Sequence, residues 1–415
     1  MSTFWRLLST TTIVAVIVAL CTTGGFAQTK PATATYLFTN DDVFTTGGGA
    51  NTATVYKIGS GGSLTLVKTI ATRGSGLGGG LFAAERVNVL HSKTQACAFV
   101  TDANPGTTVN IAPDVAAINI KTLKLVATFR AGKSDSGANS GVGLADAGNY
   151  LVASFTGDSR LSLGSSIGTY RILAGCKLKF LGSIAAAGMN GGSPDGAKAT
   201  PDGKTLVVAY FDGSVGSYRI SPTGKLALIG QEFTSTGGAA AGVDITADGK
   251  WAIFGDAGGI PEVDVAPISG SGKLGATVNY QYVDQGANSN NVLLSPNESV
   301  LFVSNNSTGA IGAVAFDKTT GVVDPAHSCS SNTLKNFLQT WFALAGLALA
   351  SQTGTGAEVY AAELGFPAGI AIVKYSPHTR GEDEFCDLTE TAASPVSDPA
   401  SNDLSSIGTF PPRRF

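Results

Sequence analysis

The chain has 415 residues, with 54 Gly, 16 Pro, 43% hydrophobic residues and 57 charged ones (27 Lys and Arg plus 30 Asp and Glu). That apolar share supports a large core and excludes disorder, while 54 Gly without a triplet period excludes collagen and points to many tight turns. A formal charge of −3 offers no basic face to nucleic acid, and 3 His with 2 Met leave little for a His-rich metal site.

Arg6 precedes an apolar run, Ile13 to Leu20, followed by small residues ending Gly25-Phe26-Ala27. A basic start, a short apolar stretch and a small-x-small site describe a signal peptide over residues 1–27, cleaved after Ala27. The run is shorter than the roughly 20 residues that span a bilayer, so a retained anchor is the lesser alternative. Residues 28–34 read as a short linker and 35–415 as one domain of an exported, secreted or periplasmic protein. Export takes away Cys21 and leaves Cys97, Cys176, Cys329 and Cys386, none with zinc-type spacing. In an oxidising compartment these four are disulfide candidates, and the sequence leaves all three connectivities open. The apolar stretch Trp341–Ala350 is also too short for a membrane span and reads as a buried strand, so the mature chain carries no transmembrane segment.

From residue 35 onward the chain repeats itself. Ala199-Thr200-Pro201-Asp202-Gly203-Lys204-Thr205-Leu206-Val207-Val208-Ala209-Tyr210 is echoed by Ile245-Thr246-Ala247-Asp248-Gly249-Lys250-Trp251-Ala252-Ile253-Phe254. Leu294-Ser295-Pro296-Asn297-Glu298-Ser299-Val300-Leu301-Phe302-Val303 and Ala145-Asp146-Ala147-Gly148-Asn149-Tyr150-Leu151-Val152 follow the same plan. Each is a strand, a tight Asp/Asn-Gly type turn, and a second strand rich in β-branched and aromatic residues. Downstream come Tyr170-Arg171-Ile172 with Cys176-Lys177-Leu178, Tyr218-Arg219-Ile220 with Gly224-Lys225-Leu226, and Val55-Tyr56-Lys57-Ile58 with Ser63-Leu64-Thr65-Leu66. These supply third and outer strands, so each repeat is a four-stranded antiparallel meander. Second strands are expected to end near Asn40, Asp102, Thr156, Asp212, Asp256, Asn305 and Glu363, in steps of 62, 54, 56, 44, 49 and 58 residues. Seven such ends predict an all-β, seven-bladed β-propeller. The first repeat lacks an inner strand, and Leu404–Phe410 is the segment expected to supply it and close the ring, leaving no free edge.

The Pro-Asp-Gly-Lys turn, the Leu-Val-Val-Ala strand, Tyr-Arg-Ile and Gly-Lys-Leu together resemble the lactonase-type seven-bladed propellers, the phosphogluconolactonase-like proteins and their relatives with YVTN-type repeats. The resemblance spans the chain from about Thr35 and implies the fold. For activity it implies sugar-lactone hydrolysis, a muconate-cyclising branch, or secreted members without an assigned reaction, and no catalytic residue is carried over from it.

In such a blade the links between second and third strands share one face with the links between blades. That face collects the site candidates Asp42, Asp102, Asp158, Asp195, Asp212, Asp256, Asn290, Asn305 and Glu363, with neighbours Asn40, Asp41 and Glu85. Carboxylates and amides converging on a channel mouth suit sugar hydroxyls, a peptide, or a divalent cation such as calcium, the one cofactor class the ring suggests. The same residues also serve turns, where they bond their own backbone. Arg86 is the rare cation on this face, and a carbonyl or carboxylate would want such a group. Arg86 and Asp212 are therefore the catalytic candidates if the protein is an enzyme. Lys198 and Asp244, at equivalent places on adjacent inner strands, are expected to pair in the channel. His91, His327 and His378 are expected in turns on the opposite face, which disfavours a Ser-His-Asp set at the mouth. No cluster of Arg or Lys and no phosphate-cradling loop before a helix favours a phosphorylated substrate. The leading reading is an exported binding or scaffold propeller, monomeric, recognising a small-molecule, glycan or protein ligand at an acidic mouth. The alternative is an extracytoplasmic lactonase.

Overall fold

A computed structural model describes residues 35–43, 51–76, 85–92, 94–102, 114–130, 138–157, 164–234, 238–258, 262–282, 288–335, 344–353, 356–364, 368–378, 385–401 and 404–412. The segments read as signal peptide and linker, 1–27 and 28–34, lie outside them.

The described residues form seven antiparallel sheets. From the channel outward, blade 1 is Ser406–Phe410, Tyr36–Asn40, Thr52–Ile58 and Leu64–Ala71, and blade 2 is Val87–His91, Ala96–Asp102, Asp114–Asn119 and Lys124–Arg130. Blade 3 is Ala138–Ala147, Tyr150–Gly157, Ser166–Leu173 and Lys177–Ala185; blade 4 is Pro194–Ala199, Thr205–Tyr210, Ser214–Ile220 and Leu226–Phe233. Blade 5 is Ala240–Ile245, Trp251–Asp256, Glu262–Pro267 and Val278–Gln281; blade 6 is Ser289–Leu294, Val300–Asn305, Ala310–Asp317 and Val322–Ser330. Blade 7 is Leu344–Thr353, Gly356–Glu363, Gly369–Pro377 and an outer edge split between Cys386–Glu390 and Val396–Ser397. The C-terminal strand pairs with Tyr36–Asn40 over its whole length and completes blade 1. Each inner strand contacts the next, and the circuit closes through Ser406–Phe410.

The turns explain why the repeats fold alike. Thr200 Oγ1 and the Lys204 N–H both donate to Asp202 Oδ1, while Gly203 takes φ +68°. Thr246, Asp248, Lys250 and Gly249 (φ +70°) repeat the arrangement. In blade 6 the left-handed position falls to Glu298 (φ +58°), which costs a side chain roughly 1 kcal/mol. Its carboxylate offsets this by accepting the Ala247 N–H of blade 5 at 2.5 Å.

Strand alternation sends side chains to both faces of each sheet, so every pair of neighbouring blades traps an apolar core. Seven such cores run round the ring; the one between blades 7 and 1 holds Leu37, Tyr56, Tyr360, Ile370 and Ile407. Two disulfides cross blade boundaries. Cys97–Cys176 ties blade 2 to the turn before the outer strand of blade 3, and Cys329–Cys386 ties the outer strands of blades 6 and 7. They select one of the three connectivities and suit an oxidising compartment. Among the described residues no helix is long and apolar enough to cross a membrane.

Candidate functional site

The residues that order the mouth begin with the dipeptide Glu85-Arg86, between blades 1 and 2, whose side chains serve opposite directions. Glu85 reaches across the channel. Its carbonyl accepts the Leu144 N–H of blade 3 at 2.9 Å, Oε2 the Ala197 N–H of blade 4 at 2.6 Å, and Oε1 the Val243 N–H of blade 5 at 2.9 Å. These donors are free because the inner strands bulge between Gly141 and Gly143, Pro194 and Ala197, and Ala240 and Val243. A glycine precedes each donor and lets the strands close in. A Cβ at Gly143, Gly196 or Gly242 would stand 2.8 Å from Ser154 Oγ, 2.6 Å from Ala241 O or 2.6 Å from Asn291 Nδ2. Asp244 carries the girdle on by accepting Leu294 N–H of blade 6 at 2.8 Å, with Lys198 Nζ 3.6 Å from its other oxygen, the pairing expected from sequence. Burial pushes the Glu85 carboxyl up to about 7, against the pull of Lys198 and the two N–H groups.

Arg86 turns the other way, to Asp42 of blade 1. Nη1 meets Asp42 Oδ1 at 2.6 Å, and both side chains are buried, 1% and 0% exposed. Asp42 stands in the left-handed region at φ +49°, backed by Gly76, where a Cβ would lie 2.1 Å from the Asp42 carbonyl carbon. Arg86 Nε and Nη2 have no hydrogen-bond partner among the described residues. Asp195, 3% exposed in the inner strand of blade 4, likewise leaves Oδ2 without a partner. Burial and then the Glu85 charge raise the Asp195 carboxyl well above the usual carboxylate range, with Arg86 pulling it partly back.

The other candidates are distributed round the ring. Asp102 is a strut between blades 1 and 2: Asn51 Nδ2 at 2.8 Å and Thr72 Oγ1 at 2.7 Å donate to its Oδ1, and Gly74 leaves room for it. Burial raises its carboxyl, opposed by hydrogen bonds from Asp114, Thr72 and Asn51. Asn290 donates to Leu344 O of blade 7 at 3.0 Å, and Asn305 accepts from Tyr282 at 2.5 Å. Asp256 and Glu363 are buried at the ends of their second strands. Asp212 holds a turn: Asn190 N, Gly192 N, Ser214 N and Ser214 Oγ all donate to it, and these bonds lower its carboxyl against burial. Asp158 lies outside the described residues.

Two features at this level take roles that the sequence did not show. Glu85 was legible as a mouth residue but not as the hub of three blades, since bulges carry no simple sequence signal. The second is a buried acid pair, Asp41 with Asp398. Thr52 and Thr54 donate to Asp41 Oδ2 at 2.5 and 2.8 Å, and Thr39 to Oδ1. Asp398 arrives from the connection after blade 7, where periodicity gives no guide.

His378 follows the third strand of blade 7, as expected, with Nε2 2.8 Å from Asp387. His327 does not lie between third and outer strands; it sits inside the outer strand of blade 6, 2.7 Å from Asp324. Val314 pairs with Ser328 and Ala315 with Asp324, so residues 325–327 bulge out where Pro325 has no N–H for the ladder. Two grooves of about 310 and 350 Å³ flank the Ser92–Gln95 turn on the opposite face, away from the carboxylates of the mouth. Among the described residues no group of three or more His, Cys, Asp or Glu is placed to hold a metal ion.

This combination of blades and closure defines a seven-bladed β-propeller. A candidate 6-phosphogluconolactonase from Bacteroides fragilis superposes with a TM-score of 0.62 at 15% identity, over 91% of this chain and 98% of that one. A protein from Lactobacillus plantarum gives 0.54 at 15% identity over 70% and 80%, and a candidate 6-phosphogluconolactonase from Bacteroides uniformis 0.51 at 14% over 72% and 83%. At these identities the likeness is one of fold. No protein-family model matches the sequence, and no curated protein does.

Proposed function

We propose that the chain is an exported propeller that binds a small polar ligand at the channel mouth, between Arg86 and Asp195. One observation carries the reading: a buried guanidinium with two unpartnered N–H groups lies within electrostatic reach of a buried carboxyl with an unpartnered oxygen. Buried polar groups are nearly always satisfied, and unsatisfied ones cost about 1–3 kcal/mol each, so an arrangement that keeps several suits a ligand that supplies the bonds. Export is supported by the N-terminal sequence and by the two disulfides. The ring of seven cores supplies a rigid frame for a site of this kind.

The test is calorimetry on the purified chain with a panel of neutral and acidic sugars. Saturable binding that Arg86→Lys weakens and whose pH dependence Asp195→Asn alters is expected. A silent panel, or binding that both variants leave unchanged, overturns the reading.

Lactone hydrolysis is the second reading, and the raised carboxyl of Asp195 favours it. A base needs a free oxygen and a pKa near the working pH. Asp195 has the free oxygen and a carboxyl raised well above the usual range, whereas both Glu85 oxygens already accept N–H groups. Arg86 would face the carbonyl oxygen as negative charge develops there. Proton release from unphosphorylated sugar lactones above a heat-denatured blank, abolished by Asp195→Asn, is the result this reading requires.

A further inference from the structure

We infer that the group recognised at the mouth is a carboxylate of a small molecule, gripped side-on by Arg86. The inference rests on the binding reading above and narrows it to a ligand class.

The guanidinium has one end committed and one edge open. Nη1 is taken by Asp42, while Nε and Nη2 are the two nitrogens without partners. Those two N–H bonds run parallel on one edge of the planar group, the spacing that matches the two oxygens of a carboxylate. A lysine at this place would offer a point charge with no such fork, and a sugar hydroxyl would use only one prong. Asp42 fixes the orientation, since it is itself locked by its left-handed backbone and by Gly76 beneath it. The fork is therefore held before any ligand arrives. Its burial selects for size: a guanidinium 1% exposed is reached by a small acid and not by the side of a folded partner.

The surrounding charges set a second property. Arg86 and Asp42 neutralise each other, so an incoming carboxylate adds negative charge beside Asp195 and Glu85. Behind these stand Asp102, acting through Asp42, and the Lys198–Asp244 pair beside Glu85. Asp195, whose Oδ2 has no partner, donates a hydrogen bond to the ligand as a neutral carboxyl instead of repelling it. Binding is thus coupled to protonation of Asp195 and tightens as pH falls.

The probes are gluconate, lactate and acetate against neutral glucose, titrated into the full mature chain by calorimetry between pH 6 and 8, in two buffers of different ionisation enthalpy. Gluconate should bind at least about tenfold more tightly than glucose and take up protons. Arg86→Lys keeps the charge toward Asp42 but removes the fork, and should weaken gluconate about tenfold or more. Asp195→Asn leaves the Arg86–Asp42 pair intact and should flatten the pH dependence, which a purely packing role would not do. Equal binding of gluconate and glucose, or an Arg86→Lys variant that binds gluconate like the parent, overturns the inference while the binding reading stands. No binding of any probe, with the fork satisfied by water alone, overturns both.

Discussion

Replacing Asp398 by Asn should make the protein more stable at pH 8 than its parent and leave it unchanged near pH 4. Asp41 is fully buried, and its carboxyl is pushed up to about 7, first by burial and then by the Asp398 charge, against the pull of three threonine hydroxyls. Asp398, 3% exposed, is raised as well, chiefly by burial, and the Tyr56 hydroxyl is raised beside them. The pair therefore holds a proton in the folded protein that the unfolded chain has released. The sign follows from linkage: between pH 3.8 and about 7 the folded state binds more protons than the unfolded state, so stability falls as pH rises through that window and stays low above it. With 1.36 kcal/mol per pKa unit, a rise from 3.8 to about 7 amounts to about 4 kcal/mol, an upper figure for one carboxyl. An Asn at 398 keeps the oxygen that accepts the Ala400 N–H at 2.9 Å and offers Asp41 a permanent N–H in place of the shared proton. Urea midpoints followed by circular dichroism at pH 4, 6 and 8 measure the effect. The slope against pH should be shallower in the variant by about 1–3 kcal/mol over the range, a share of that upper figure. Parallel slopes for parent and variant would refute the shared proton, because the other raised carboxyls are common to both.

Two further outcomes follow from the same geometry. Glu85→Gln turns one acceptor into a donor facing the Ala197 or Val243 N–H, and should cost about 2–3 kcal/mol in the same urea assay; an unchanged midpoint would show that the channel girdle adds nothing. Cys329→Ser with Cys386→Ser reopens a link across 57 residues and should cost about 4 kcal/mol by loop entropy, read as a lower urea midpoint under oxidising conditions; an unchanged midpoint would refute it.

The ring was legible in the sequence because a blade is a local object. The Asp202-Gly203 and Asp248-Gly249 turns are set by bonds spanning two to five residues, so they appear as sequence repeats and fix strand ends closely. Asn40, Asp102, Asp256, Asn305 and Glu363 do end their strands. Thr156 and Asp212 miss by one and two residues, Asp212 because it caps the turn beyond Tyr210. Ring closure by the C-terminal strand was legible for a different reason: an unpaired edge on blade 1 demanded a partner. The site was legible only as a face. Whether an Asp on that face becomes a strut, a turn holder or a free carboxyl depends on which donors a neighbouring blade aims at it. Asp102 meets Asn51 and Thr72, Asp212 meets its own turn, and Asp195 meets no donor.

The contrast between Glu85 and Arg86 gives this distinction physical content. Both are half or fully buried, both stand in the link between blades 1 and 2, and they are adjacent in sequence. Glu85 has every oxygen engaged by backbone of three other blades, so the strands have moved, through their bulges and glycines, to satisfy it. Arg86 has had only one nitrogen satisfied by comparable means, although Asp195 is close enough for its charge to be felt. A chain that builds a hub of hydrogen bonds around one charge and leaves an open fork on the next has the means to close that fork. An Asp195 side chain bonded to Arg86 would remove two buried penalties at once, worth about 1–3 kcal/mol each. That the fold keeps them apart is the strongest structural reason to look for a ligand between them.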